Sequence, residues 1–191
     1  VLLIQEDGSD PQGPRPYIEN PKVQIIGLRN GYVLAINPYD EKDRIMITDT
    51  GPDHYDRLIY TNPFGIKPIN FGWDGNEDKL KVPILDPNFP KTTDMVIYRL
   101  LDTKTFTGLV FHKGKGAVPN SDGKTQSLLI TLFGKTGETE NSPGKEILLA
   151  RLTNLSGQSS ISFKTIIKRN PDANGKLGNP IGLEVDQKTG D

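Results

Sequence analysis

The stretch GLRNGYVLAINPYDEKDRIMITDTGPD, residues 27–53, holds two short apolar runs, YVLAI at 32–36 and RIMIT at 44–48, separated by a turn of Asn, Pro and Asp. Short apolar runs bounded by turn residues read as β-strands. An Arg-Asn pair precedes the first run, and a Gly-Pro flanked by aspartates follows the second. That arrangement predicts that the two flanking loops are brought to one place.

The same pattern continues on both sides. VLLI at 1–4, VQIIGL at 23–28 and RLIY at 57–60 read as strands, followed by FTGLVF at 106–111, SLLITLF at 127–133, EILLARL at 146–152, ISFKTIIK at 161–168 and IGLEV at 181–185. No window of twelve residues carries a 3.6-residue apolar stripe with caps, so the chain is expected to be all-β. Twenty glycines and 15 prolines, scattered rather than clustered, suit many turns between short strands. Residues 61–105 are too rich in Pro and Gly for regular structure, yet they carry Phe64, Phe71, Trp73 and Phe89. Those aromatics predict an ordered loop packed on the sheets rather than a linker.

Leu34-Ala35-Ile36-Asn37, Leu109-Val110-Phe111-His112 and Leu183-Glu184-Val185-Asp186 recur at intervals of about 75 residues, with about four strand candidates in each interval. Four antiparallel strands per repeat describe the blade of a β-propeller. The expected fold is therefore a β-propeller fragment of about two and a half four-stranded antiparallel blades. Its expected parts are the end of one blade and a connection at 1–30, a blade with a long loop at 31–105, a second blade at 106–178, and the start of a truncated blade at 179–191. The remaining blades of the same propeller are then its expected structural partners.

Composition narrows the function. Lys and Arg number 23 against 24 Asp and Glu, a net charge of −1, which excludes the electrostatic footprint that nucleic-acid binding needs. The absence of cysteine removes disulfides, thiolate metal sites and cysteine nucleophiles, and leaves the redox compartment open. No apolar run approaches the roughly 18 residues of a membrane helix, and no signal peptide is recognisable at the start of the chain.

Taken in order, GLRNGYVLAINP, DRIMITDTGPD, NFGW, TGLVFHKGKG, LLITLFGKTGETENSPGKEILLARL and GNPIGLEVDQKTGD resemble the glucose/sorbosone dehydrogenase family over most of the chain. The first three motifs are the specific ones. The resemblance implies a six-bladed propeller, a small-molecule sugar substrate, pyrroloquinoline quinone (PQQ) and calcium as cofactors, and a periplasmic or extracellular location. It implies that Arg29 touches substrate and quinone as the catalytic guanidinium, that Asn30 binds the quinone, and that main-chain carbonyls of Gly51 and Pro52 ligate calcium. Lys135 is a looser match to the family's cofactor-binding lysine. A rigid guanidinium fork suits an ortho-quinone carboxylate or a developing oxyanion, and calcium accepts backbone oxygens readily. The bland alternatives are an Arg29 paired with a carboxylate such as Asp49, and a plain Gly-Pro turn.

Departures from the family pattern are equally readable. Where an acidic run is common, the chain has Asp53-His54-Tyr55-Asp56-Arg57, which reads better as a solvated, salt-bridged loop than as a calcium site. The paired arginines that would grip the quinone should fall near 179–181, and GNPIGL holds none. The family's general-base histidine comes from a blade upstream of the Arg-Asn motif; His54 and His112 are expected to be surface or packing residues. Phe71 and Trp73 are expected to pack their loop against a blade, with sugar stacking by Trp73 the alternative. The competing function is a propeller without catalysis, serving as a carbohydrate- or protein-binding module.

Overall fold

The computed structural model describes residues 24–40, 42–51, 54–63, 69–73, 95–102, 104–112, 125–134, 145–155, 158–168, 182–184 and 186. Ten strands run through them: β1 (Ile25–Ile26), β2 (Gly31–Ile36), β3 (Ile45–Asp49), β4 (His54–Thr61), β5 (Ile69–Asn70), β6 (Val96–Asp102), β7 (Phe106–His112), β8 (Thr125–Leu132), β9 (Glu146–Leu155) and β10 (Gln158–Lys168). The described residues contain no α-helix. The first large sheet has the order β2-β3-β4-β6 and the second β7-β8-β9-β10, both antiparallel throughout; β1 and β5 form a short parallel pair.

Alternation along the strands decides which side of each sheet is apolar. In the first sheet Met46, Leu58 and Tyr60 point one way, with Val33, Ala35, Tyr98 and Leu100 packed beside them. They meet Phe106, Leu109, Phe111, Leu128, Ile130, Leu132, Leu148, Ala150 and Leu152 from one face of the second sheet. Each fully buried aliphatic of this kind contributes roughly 1.5–3 kcal/mol. The innermost strands β2 and β7 lie side by side, as do the outermost, β6 and β10, where the Tyr98 and Phe163 rings meet edge to face at 4.5 Å.

Leu109 and Phe111 therefore face the preceding sheet, and their counterparts in the repeat, Leu34 and Ile36, face the opposite direction from the second sheet. Each sheet turns the same side toward the sheet before it, which is how successive propeller blades stack. Gly182, in the third repeat, lies on the far side of the second sheet: a Cβ at Gly108 would come within 3.2 Å of its backbone. The chain is thus a β-propeller fragment, and the repeat seen in the sequence is the blade repeat. On the first sheet that leading side is open along β2, where Tyr32, Leu34 and Ile36 are exposed.

Behind β3 and β4 the same side is covered. Ile45, Ile47 and Ile59 pack with Ile25, Ile69 and Phe71, all of them buried. The cover is the β1–β5 ladder, extended by Phe71 N–H to Ile26 O and Trp73 N–H to Gly27 O, both at 3.0 Å. At the other end of the sheet the 37–44 turn is pinned to the second blade by polar groups. Asn37 Nδ2 donates to Tyr60 Oη and to Gln126 Oε1, both at 2.6 Å, and the Tyr60 hydroxyl donates to Asp40. Arg44 bonds Asp40 and lies 4.6 Å over the Tyr60 ring.

Three expectations need correction. Residues 61–105 are not loop throughout: VIYRLLD forms β6, the outer strand of the first blade, and residues 69–70 pair with β1. Among the described residues of the run at 23–28, only Ile25 and Ile26 are strand, and Gly27 turns to φ +68° directly after them. The run at 181–185 is not a strand at its described residues 182–184. Residues 1–4 lie outside the described residues.

Candidate functional site

β2 begins directly after Arg29-Asn30, and β3 ends directly before Thr50-Gly51. Because the two strands are antiparallel, with Gly31 opposite Asp49, the residues before one and after the other share an end of the blade. The main chain closes that end: Asn30 N–H donates to Asp49 Oδ1 at 2.8 Å, and Thr50 N–H donates to Asn30 O at 3.0 Å. Arg29 Nη1 donates to the Thr50 carbonyl at 3.5 Å. Arg29 is half-buried and Asn30 exposed, while Thr50 and Gly51 are buried.

The basic partner of Asp49 is Arg57 rather than Arg29. Arg57 stands directly opposite Asp49 in the β3–β4 ladder, and its Nε donates to Asp49 Oδ2 at 2.9 Å while Nη2 bonds the same oxygen. Both residues are buried, 2% and 1% exposed. Arg57 also donates through Nη1 to Phe71 O at 2.7 Å and through Nη2 to Gly27 O at 3.3 Å. The expectation of a solvated loop around Asp56 and Arg57 is therefore overturned: both are interior residues of β4, on its two opposite sides.

Asp56 faces the second blade and works as an acceptor for main-chain N–H groups. Its Oδ1 takes Gly51 N–H at 2.9 Å, and its Oδ2 takes Lys104 and Thr105 N–H, each at 2.8 Å. The carboxylate thus anchors three main-chain amides at once. It ties the Gly51 turn to the segment that opens β7, where Thr105 adopts φ +52°.

Of the other predicted residues, Pro52, Asp53 and Lys135 lie outside the described residues. Gly134, just before Lys135, donates its N–H to Lys104 O at 2.8 Å, at the same end of the blade as Asp56. His112 is buried at the opposite end of β7, away from Arg29, in keeping with a packing role. Phe71 is buried in the core as expected. Trp73 is half-buried, and its indole Nε1 is buried with no hydrogen-bond partner among the described residues.

The donor chemistry at the turn fits a hard cation held by neutral oxygens. Thr50 Oγ1 is a buried hydroxyl with no hydrogen-bond partner among the described residues, adjacent to the Gly51 peptide that Asp56 fixes. No group of three or more His, Asp or Glu side chains assembles among the described residues. For an anionic cofactor the fitting group is the Arg29 guanidinium, held half-buried where its charge is less screened than in bulk water.

Sequence reasoning missed the Asp49–Arg57 pair and the function of Asp56. The signal was two charged residues inside the strand run DRLIYT, since a charge in a buried strand requires a partner.

No family model matches the chain, and no curated protein matches it. Among solved structures, it is similar to the PQQ-bound form of aldose sugar dehydrogenase from Streptomyces coelicolor, at 20% sequence identity and a TM-score of 0.49, covering 86% of this chain and 38% of that chain. The chain spans well under two thirds of that structure's length.

Proposed function

We propose that this chain is the cofactor-bearing part of a glucose/sorbosone dehydrogenase-like propeller that oxidises a sugar hydroxyl with PQQ and calcium, outside the cytoplasm. One observation carries the reading: the Arg29-Asn30 loop and the Thr50-Gly51 turn, separate motifs in the sequence, meet at one end of a blade through direct hydrogen bonds. The chemistry the cofactor pair supplies is two-electron oxidation at carbon, with calcium as Lewis acid. Arg29 would orient the substrate and the quinone by charge-assisted hydrogen bonds. Asn30, exposed at the same corner, would bind the quinone by its side-chain amide, and Lys135 would add a second cation. The carbonyls of Gly51 and Pro52 would ligate calcium, with Thr50 Oγ1 a further oxygen of the right type.

The test is reconstitution of the intact protein with PQQ and calcium, followed by dye reduction with a panel of aldoses. Turnover that requires both cofactors supports the reading; no quinone spectrum and no turnover overturns it. The competing reading, a binding module without catalysis, is favoured by one observation. Arg57, standing where the family is commonly acidic, is spent on internal bonds to Asp49 and two carbonyls.

A further inference from the structure

We propose that Asp49 and Arg57 form a positioning clamp that sets the direction in which Arg29 and Asn30 leave the blade; as a role in cofactor binding, this rests on the reading above. The loop from Gly27 to Asn30 has four residues, and the ion pair holds it at both ends. Arg57 Nη2 bonds the carbonyl of the first residue, Gly27, and Asp49 Oδ1 bonds the N–H of the last, Asn30. Asp49 divides its two oxygens accordingly, giving Oδ2 to the guanidinium and Oδ1 to the loop. The remaining Arg57 nitrogen, Nη1, bonds Phe71 O, next to the strand extension that also takes the Gly27 carbonyl through Trp73 N–H. Leu28 and Arg29 lie between the two anchored peptides.

Stability alone does not account for this pair. It sits in the row of apolar side chains behind β3 and β4, beside Ile47 and Ile59, and burying two charges costs about as much as their attraction returns. An apolar pair of similar volume would hold the sheet as well. What an apolar pair lacks is the directed bonding to Gly27 O and Asn30 N–H. Lysine at 57 would keep the charge without the planar fork that reaches Asp49, Phe71 O and Gly27 O at once.

The experiment compares the intact protein with Arg57→Lys and with the double variant Asp49→Leu/Arg57→Met, which replaces both charges and so leaves neither unpaired. Amide hydrogen exchange is read at Asn30 and Thr50 and, as a control, in β8 and β9; calcium-dependent PQQ binding is measured alongside. The clamp predicts that Asn30 exchanges about five- to tenfold faster in both variants, the loss of roughly one hydrogen bond, with β8 and β9 unchanged. It also predicts PQQ affinity weaker by at least a similar factor. Unchanged exchange at Asn30, or a rise shared equally by β8 and β9, overturns the clamp. Quinone binding by the unaltered protein that the variants retain in full overturns the positioning role while leaving the cofactor reading intact. Absence of quinone binding in the unaltered protein overturns that reading instead, and exchange at Asn30 then decides the clamp by itself.

Discussion

Replacing Asp56 by alanine removes one acceptor from three main-chain donors at once: Gly51, Lys104 and Thr105, at 2.8–2.9 Å. Hydrogen bonds to a charged group contribute about 1.5–3 kcal/mol each, and a buried donor left unsatisfied costs about 1–3 kcal/mol. Gly51 is buried and meets that full cost, whereas Lys104 and Thr105 are half-buried and water replaces part of what they lose. The expected destabilisation is therefore about 3–5 kcal/mol, well above the roughly 1 kcal/mol typical of a point substitution. Asp56→Asn tests the mechanism more finely. The amide keeps the shape and one acceptor oxygen but turns an NH2 donor toward N–H groups, so it is expected to recover little of the loss. Urea denaturation followed by circular dichroism gives both values. An alanine variant within about 1 kcal/mol of the unaltered protein, or an asparagine variant equal to it, would refute the assignment of Asp56 as a three-amide acceptor.

Gly27→Ala is expected to cost about 2–4 kcal/mol by the same assay, because φ is +68° and the new Cβ would fall 2.2 Å from Asn70 Oδ1 and 2.5 Å from Gly72 N, the second of these backbone; a neutral result would contradict the close crossing of 27 and 70–72. Burial opposes ionisation of Asp40, but the bonds from the Tyr60 hydroxyl, Lys42 N–H and Arg44, with the Arg44 charge, outweigh it and lower its pKa below the ordinary 3.8. A lowered carboxylate pKa stabilises fully above that ordinary value, and the contribution is lost as pH falls through the folded value. Thermal midpoints should therefore drop on acidification below about pH 4, less steeply in Asp40→Asn, and identical acid limbs would disprove the link. Burial and the bond to Asp40 raise the Tyr60 pKa, so its contribution is present below pH 10 and lost above it; Tyr60→Phe should flatten that alkaline limb.

How much of this was legible in the sequence differs by element. Short apolar runs marked most of the strands, because a half-buried strand needs only alternate apolar residues and turn signals at its ends. The 75-residue recurrence of Leu34 and Leu109 found the blade repeat, since both occupy the innermost strand on the same side. VIYRLLD escaped because the Pro- and Gly-rich stretch before it drew residues 95–102 into one long loop, and because the run does not alternate: Val96 packs behind the sheet while Tyr98 and Leu100 face the second blade, across a register shift. The meeting of Arg29 with the Gly51 turn was foreseeable, as it follows from an antiparallel pair with motifs at matching ends. The pairing of Asp49 with Arg57 rather than Arg29 was not, because it depends on the register of β3 against β4, and a shift of one residue would send the two charges to opposite faces. Asp56 could not be read as an amide acceptor either, since Lys104 and Thr105 approach it across the gap between two blades.

The most direct measurement is calorimetric titration of PQQ into the intact protein with and without calcium, repeated with Arg29→Met. The account predicts saturable binding that requires calcium and is lost in the variant. Binding indifferent to both calcium and Arg29, or no binding at all, would contradict it.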